Sequence, residues 1–206
     1  MTAIVDYGVG NLFSLKSSFA AIGEEAEVSS DPQTILSADR IVLPGVGAFR
    51  DAAGKLRESG LDRTVVQAAE EGMPLLGICL GMQLLFERSF EYGEYQGLGL
   101  IRGEIRPLRE TVSSGMKIPQ MGWNALHLTK PECPLFRYIR EGDFAYFVHS
   151  YHGVGCGESL CAVTDYSAPV TAAVRAGNVF GCQFHPEKSG RTGLSILRAF
   201  SEVEAC

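Results

Sequence analysis

Short apolar runs that end near glycine and lead into helical patterns constrain the fold of this chain most strongly. Three of them are Ala3-Ile4-Val5, Ile41-Val42-Leu43 and Leu75-Leu76, and glycines follow at 8, 45 and 77. After the first run, apolar residues at 12, 15, 19 and 22 recur at helical spacing. Strands that alternate with helices in this way form a parallel sheet with helices on both faces.

The first half of the chain reads as alternating strands and helices. We predict strands at 3–6, 26–28, 41–43 and 74–79. We predict helices at 12–22 with Asn11 as N-cap, from 32, through the fifties, at 62–71 and at 80–88.

In the second half, short strand-like runs follow one another without intervening helices, which predicts an antiparallel or mixed extension of the sheet. Short β-like runs occur at 98–101, 124–128, 145–148, 160–163 and 170–174. A last strand at 179–184 and a closing helix at 193–200 complete the pattern. No linker divides the chain, so we expect one domain over residues 1–206.

Charge and cysteine usage exclude several classes of protein. The net charge of −6 argues against nucleic acid or an anionic membrane as the main partner. No apolar run is long enough to span a bilayer, and no basic segment precedes an apolar one at the N-terminus. The cysteines form no CxxC pair, so we expect reduced thiols in the cytoplasm; they stand at 79, 133, 156, 161, 182 and 206.

One cysteine lies in a pattern typical of a nucleophile. Gly77-Ile78-Cys79-Leu80-Gly81 places Cys79 in G-x-C-x-G between an apolar strand and a helix. The sharp turn would leave no room for side chains at the two glycines. The thiol would also lie at a helix N-terminus, which favours the thiolate. A buried cysteine in an ordinary strand–turn–helix remains the alternative.

A base and its orienting group follow within three residues of each other. His185-Pro186-Glu187 ends the last apolar run, and Pro186 keeps the segment extended. Residues i and i+2 then point the same way, so Glu187 can hold one ring nitrogen of His185 while the other faces the thiol. His149 and His152 are competing bases without a neighbouring carboxylate. We assign the segment His149-Ser150-Tyr151-His152 to the substrate pocket, and we interpret His127 as structural.

The loop Pro44-Gly45-Val46-Gly47 also ends a strand and should lie near Cys79. An oxyanion needs backbone donors, and Leu80 N–H would be the first. The glycine loop would supply the second, most simply through Val46 or Gly47. A plain tight turn is the alternative. We expect no dinucleotide cofactor, since Phe13 stands at the third glycine position of G-x-G-x-x-G, and no metal site.

Together these residues resemble the class I (triad) glutamine amidotransferase family. Six separated motifs carry the resemblance from residue 4 to about 200. Three belong to the wider family: Pro44-Gly45-Val46-Gly47-Ala48-Phe49, Gly77 to Gln83, and Gln183 to Glu187. Three more resemble the glutaminase subunits of imidazole glycerol phosphate synthases: Asp6 to Asn11, Met121-Gly122-Trp123-Asn124 and Phe147 to Tyr151.

The resemblance implies a flavodoxin-like α/β fold and glutamine hydrolysis. Cys79 would form a γ-glutamyl thioester, His185 would move protons, and ammonia would pass to a separate (β/α)₈-barrel cyclase subunit of histidine biosynthesis. Glutamine would be bound by Gln83, by backbone around Gly45 and Ser150, and by Glu91 at its ammonium group. Asn11, Trp123 and Asn124 would face the partner in a heterodimer.

Two alternatives stay open from sequence. A stand-alone γ-glutamyl hydrolase or peptidase could use the same scaffold without a partner, and a non-catalytic binding module could keep the fold. Trp123 could equally be a core residue. Glutamate release from glutamine, measured with the chain alone and with a cyclase, distinguishes the hydrolase and the binding module from an amidotransferase subunit.

Overall fold

The computed structural model describes residues 1–204, so Ala205 and Cys206 lie outside the description. The prediction that Cys206 carries a reduced thiol therefore falls outside the described residues. The single domain over residues 1–206 stays a prediction. The α-helices are α1 (Leu12–Ala21), α2 (Pro32–Leu36), α3 (Phe49–Glu58), α4 (Leu61–Glu70), α5 (Leu80–Leu84) and α6 (Gly190–Ser201). The strands are β1 (Thr2–Val5), β2 (Ala26–Ser29), β3 (Arg40–Leu43), β4 (Leu75–Ile78), β5 (Phe86–Ser89), β6 (Tyr95–Gln96), β7 (Ile101–Pro107), β8 (Gln120–Ala125), β9 (His127–Leu128), β10 (Phe144–His149), β11 (Tyr151–Val154), β12 (Leu160–Asp165), β13 (Pro169–Ala176) and β14 (Val179–Cys182).

An eight-stranded central sheet in the order β2-β1-β3-β4-β14-β13-β12-β9 organises the molecule. Its first five strands are parallel, and β13, β12 and β9 continue it antiparallel. The parallel part has the strand order of a flavodoxin-like fold. The predicted α/β class with an antiparallel extension is therefore confirmed.

Alternating strand residues divide the core into two layers, one on each face of the sheet. Ala3 and Val5 of β1 face the layer that contains helices α3 and α4. Ile4, between them, faces the layer that contains α1 and α6. Because side chains alternate across a strand, one short apolar run serves both cores.

The prediction of a helix over 80–88 was wrong in its second half. Helix α5 ends at Leu84, and residues from Phe86 form strand β5. Phe86 and Ser89 are buried there, and β5 pairs with β6 and β7. Long-range pairing with a strand that begins at Ile101 decided the structure, and local helical spacing could not reveal it.

The β-like runs at 160–163 and 170–174 extend the central sheet as β12 and β13, and the runs at 98–101 and 145–148 contribute to two further sheets. A four-stranded sheet has the order β11-β7-β5-β6, and β8 and β10 form a two-stranded ribbon. Strand β11 was not predicted, the run at 98–101 joins a strand only at Ile101, and the run at 124–128 belongs to β8 and β9. The last strand ends at Cys182 rather than at 184, and the closing helix begins at Gly190. Within residues 1–204, no helix is both long and apolar enough to cross a bilayer.

Candidate active site

Cys79 occupies a strained turn between β4 and α5. Its φ of 53° is in the left-handed region, which a non-glycine residue rarely adopts. The neighbouring glycines are sterically required. A Cβ on Gly77 would lie 2.8 Å from the Gly81 backbone, and a Cβ on Gly81 would overlap the Leu43 carbonyl. The predicted sharp turn with glycines on both sides is present.

The loop after β3 lies directly against this turn, as predicted. A Cβ on Gly45 would lie 2.6 Å from the Gly81 nitrogen and 2.9 Å from Leu80. Gly47 has a φ of 94°, and Val46 between the two glycines is exposed. The backbones of Leu80 and Val46 therefore border the same space beside Cys79.

The strand register brings the candidate base to the thiol. Strand β14 pairs with β4 in parallel, with Cys182 opposite Ile78. The Cys79 N–H donates to the Cys182 carbonyl at 2.8 Å. Three residues further along the chain, His185 lines the same cavity as Cys79.

His185 and Glu187 form a buried pair. Nδ1 of His185 lies 2.8 Å from Oε1 of Glu187, and both side chains are almost fully buried. Burial lowers the pKa of His185, but contacts with Cys79 and Glu187 outweigh it and raise the pKa to about 9. The imidazole is therefore positioned to hold a proton between the thiol and the carboxylate at neutral pH.

The other three histidines do not share the raised pKa and the buried carboxylate of His185. Burial lowers the pKa of His149 and of His152 to about 4, so both rings are neutral at pH 7. Nδ1 of His149 lies 2.9 Å from the Tyr151 carbonyl, and Nε2 of His152 lies 2.8 Å from the Thr111 hydroxyl. His127 pairs with an exposed glutamate on the surface. Of the four histidines, only His185 lies beside both a carboxylate and the Cys79 thiol.

The His185 ring is expected to titrate near pH 9 instead of its ordinary 6.5. Glu187→Gln should lower this pKa, because the amide keeps the carboxylate's shape without its charge. Proton NMR of the ring through a pH titration measures both values. Because the pKa of His185 is higher in the folded than in the unfolded chain, the protonated ring stabilises the fold. This contribution is complete below pH 6.5 and is lost as the pH rises through about 9. A wild-type midpoint at the ordinary value would contradict the assigned pairing.

A cavity of about 330 Å³ opens above the thiol. Most predicted substrate and oxyanion residues line it together with Cys79 and His185: Val46, Gly47, Leu80, Gln83, Glu91, His149, Ser150 and Tyr151. Three lining residues were not predicted, namely Pro119, Val148 and Lys188. Gly45 packs behind the cavity, and Glu187 lies buried behind His185. Within residues 1–204, no cluster of three potential metal-binding side chains occurs.

Two polar side chains of the cavity are held by the protein itself. The Gln83 amide donates to the Tyr151 carbonyl at 3.0 Å and to Gln183 Oε1 at 3.1 Å. The Phe49 N–H, at the start of α3, donates to Glu91 Oε2 at 2.7 Å. Burial raises the pKa of Glu91 while this hydrogen bond opposes the shift. Both side chains are thus fixed before any ligand enters.

Two site residues were not singled out from the sequence. Nε2 of Gln183 lies 3.7 Å from Cys79 Sγ. The Tyr7 hydroxyl donates to the Pro44 carbonyl at 2.7 Å. Both residues belong to quoted motifs, but contacts across 104 and 37 positions leave no local signal in a sequence.

The residues assigned to a partner surface occupy three different environments. Trp123 is 52% exposed on β8 and stacks edge-on against Tyr146 at 6.0 Å, so the alternative of a core tryptophan is wrong. Asn124 accepts a hydrogen bond from Gln120. Asn11 is the N-cap of α1, where its side chain accepts from the Ser14 N–H. Met121 and Phe13 are also exposed.

The fold and the site together define a doubly wound α/β protein whose nucleophile turn carries a cysteine beside a histidine–glutamate pair. The particular family follows from comparison of the sequence. The chain belongs to the class-I glutamine amidotransferase family, whose sequence model matches residues 3–202.

Curated relatives cover almost the whole chain. It is 46% identical over 205 residues to the imidazole glycerol phosphate synthase subunit HisH of Wolinella succinogenes, covering 98% of this chain and 100% of the relative. It is 49% identical over 203 residues to the subunit HisH of Bacillus cereus, covering 98% and 95%. The HisH subunit of Caldanaerobacter subterraneus is 45% identical, with full coverage of both chains.

Solved structures support the fold. A glutamine amidotransferase crystal structure superposes with a TM-score of 0.74 at 21% identity, covering 97% of this chain and 98% of the other. A chain of PurLQS from Thermotoga maritima gives a TM-score of 0.75 at 22% identity, covering 97% and 96%. At these identities the likeness concerns the fold alone.

Proposed function

We propose that the chain hydrolyses glutamine to glutamate and ammonia as the glutaminase subunit of an imidazole glycerol phosphate synthase. The observation that carries the proposal is the buried His185–Glu187 pair in one cavity with the strained Cys79. The relatives support the choice of enzyme, because they are named as subunits of that synthase. The proposed location is the cytoplasm.

The proposed chemistry is acyl transfer through a thioester. His185 takes the thiol proton as Cys79 Sγ attacks the side-chain amide carbon of glutamine, while Leu80 and Val46 N–H stabilise the oxyanion. Protonated His185 gives its proton to the amide nitrogen, and ammonia leaves. A water then attacks the γ-glutamyl thioester with His185 as base, releasing glutamate and the thiol. Glu187 fixes the tautomer and orientation of His185 throughout.

The cavity supplies opposite charge for the amino-acid end of the substrate. Glu91 offers a half-buried carboxylate, already oriented by Phe49 N–H, to the glutamine ammonium group. Gln83, Tyr151 and the backbone around Gly45 and Ser150 complete the proposed binding site. His149 is neutral at pH 7 and contributes a polar wall without charge.

The proposed partner is a (β/α)₈-barrel cyclase subunit that receives the ammonia. It converts a phosphoribulosyl-formimino carboxamide nucleotide into imidazole glycerol phosphate and an aminoimidazole carboxamide ribonucleotide. We assign its docking surface to Asn11, Trp123 and Asn124. Exposed apolar side chains beside them, Met121 and Phe13, suit a protein interface. A stand-alone hydrolase gives no reason for this surface, and the relatives' names do not favour one.

Glutamate release tests the proposal directly. The chain alone, the chain with the cyclase, and the cyclase with ammonium salt are compared. We expect glutamine to support synthesis only when both proteins are present. We expect ammonium salt to support synthesis by the cyclase without this chain. Rapid hydrolysis of γ-glutamyl peptides without a partner would favour the hydrolase instead.

Trp123→Ala is expected to weaken stimulation by the cyclase at least about tenfold, because a large aromatic near an interface centre often anchors it. The fold should persist, since the side chain is already half exposed. Titration of glutaminase activity with cyclase gives the apparent affinity. Tyr138→Ala is the matched control, since this exposed aromatic lies beside the far end of α6 and bonds Glu202. Equal losses in both variants would contradict the assigned surface.

A further inference from the structure

Tyr7 connects the segment after β1 to the loop after β3. Its side chain is only 5% exposed, and its hydroxyl donates to the Pro44 carbonyl at 2.7 Å. Pro44 is the first residue of the loop that carries Val46. The hydrogen bond therefore ends on the peptide group immediately before the one that would present the Val46 N–H.

The same segment also runs close to the Pro44 ring. Gly10 has a φ of 124°, and a Cβ there would lie 2.9 Å from the Pro44 Cβ. The Pro44 ring thus fills the space where a side chain at position 10 would lie, and the same segment bonds the Pro44 carbonyl through Tyr7.

The Tyr7 hydroxyl remains a donor at every physiological pH. Burial, and secondarily the nearness of Cys79, raises its pKa far above the usual value. A phenol that keeps its proton donates to a carbonyl and does not compete for protons with the thiol.

We propose that Tyr7 is a positioning residue: by fixing the Pro44–Gly45 peptide, it holds the loop that presents the Val46 N–H to the oxyanion. A peptide group is planar, so holding the Pro44 oxygen also fixes the direction of the Gly45 N–H. The Val46 N–H, one peptide further along the chain, is then held in a defined position. The inference rests on the proposed function.

The experiment is Tyr7→Phe in the complete complex with the cyclase and its nucleotide. The ring is kept, and only the hydroxyl is lost. We expect kcat for glutamine hydrolysis to fall about tenfold with KM little changed, because misplacement of a transition-state group affects the chemical step. Alkylation of Cys79 by iodoacetamide needs no oxyanion donor and should keep its wild-type rate.

Tyr166→Phe is the matched control. Its hydroxyl likewise donates to a backbone carbonyl, that of Lys117, at 2.7 Å, but the bond is exposed and neither residue lines the cavity. This variant should retain wild-type kcat. An unchanged kcat in Tyr7→Phe, or alkylation slowed by the same factor as kcat, would overturn the proposal.

Hydrogen exchange separates this inference from the proposed function. In Tyr7→Phe, amides in the peptide spanning residues 43–49 should exchange faster, while those of the nucleophile turn at 77–81 should not. This readout requires no glutaminase activity. A wild-type complex that releases no glutamate would refute the proposed function alone, and unchanged exchange in the loop would refute the role of Tyr7.

Discussion

Cys79→Ser is expected to abolish glutamine-dependent synthesis while the complex continues to use ammonium salt. Removal of a triad nucleophile costs on the order of 10⁶ in kcat, and a serine hydroxyl recovers little because it lacks an accessible anion. The substitution is nearly isosteric, so the strained turn at a φ of 53° should persist. Parallel assays with glutamine and with ammonium separate ammonia production from cyclisation.

Cys156→Ser is the matched control for this loss. Cys156 is also buried, but its thiol lies near the Thr171 hydroxyl, away from the cavity. This variant should keep glutamine-dependent turnover. Substantial glutamine-dependent turnover in Cys79→Ser would show that the nucleophile is assigned wrongly.

Val46→Pro is expected to erase activation by the cyclase and its nucleotide ligand. We propose that the Gly45–Val46 peptide rotates, directing its carbonyl or its N–H toward the oxyanion. The φ of 94° at Gly47 shows that the loop already uses backbone freedom special to glycine. Proline removes the N–H, and one lost oxyanion donor costs on the order of 10²–10³ in kcat. Stimulated kcat, with and without the ligand, measures the effect.

The control retains the donor and removes only the side chain. Val46→Ala should respond to the partner like the wild type, since Val46 is exposed. Cys79 should remain alkylatable in both variants. The isolated wild-type chain should hydrolyse glutamine very slowly, and activation should raise kcat more than it lowers KM. Full activity of the isolated chain would refute gating and support the stand-alone hydrolase.

Local patterns predicted the elements that carry the proposed triad. G-x-C-x-G and His-x-Glu each reflect a short-range requirement, namely a turn without side chains and an extended segment whose residues i and i+2 share a side. The placement of Cys79 and His185 in one cavity followed from the parallel arrangement of strands. Here local sequence and topology agree, so the residues could be named in advance.

Features decided by distant pairing could not be predicted in this way. Residues after Leu84 have helical spacing, but pairing with β7 makes them a strand. The same shortening leaves α5 with five residues, so few peptide dipoles are aligned behind the Cys79 turn. The bonds of Gln183 to Gln83 and of Tyr7 to Pro44 have no local signature either.

The close backbone contact between the nucleophile turn and the loop after β3 limits how this protein can evolve. Gly45 and Gly77 both pack against Gly81 with no space for a methyl group. A mutation at any one of the three requires its neighbours to move at once, so stepwise substitution is blocked. The exposed side of β8, with Met121 and Trp123, has no such restriction. Substitutions on that side can therefore create new associations without disturbing the geometry around the thiol.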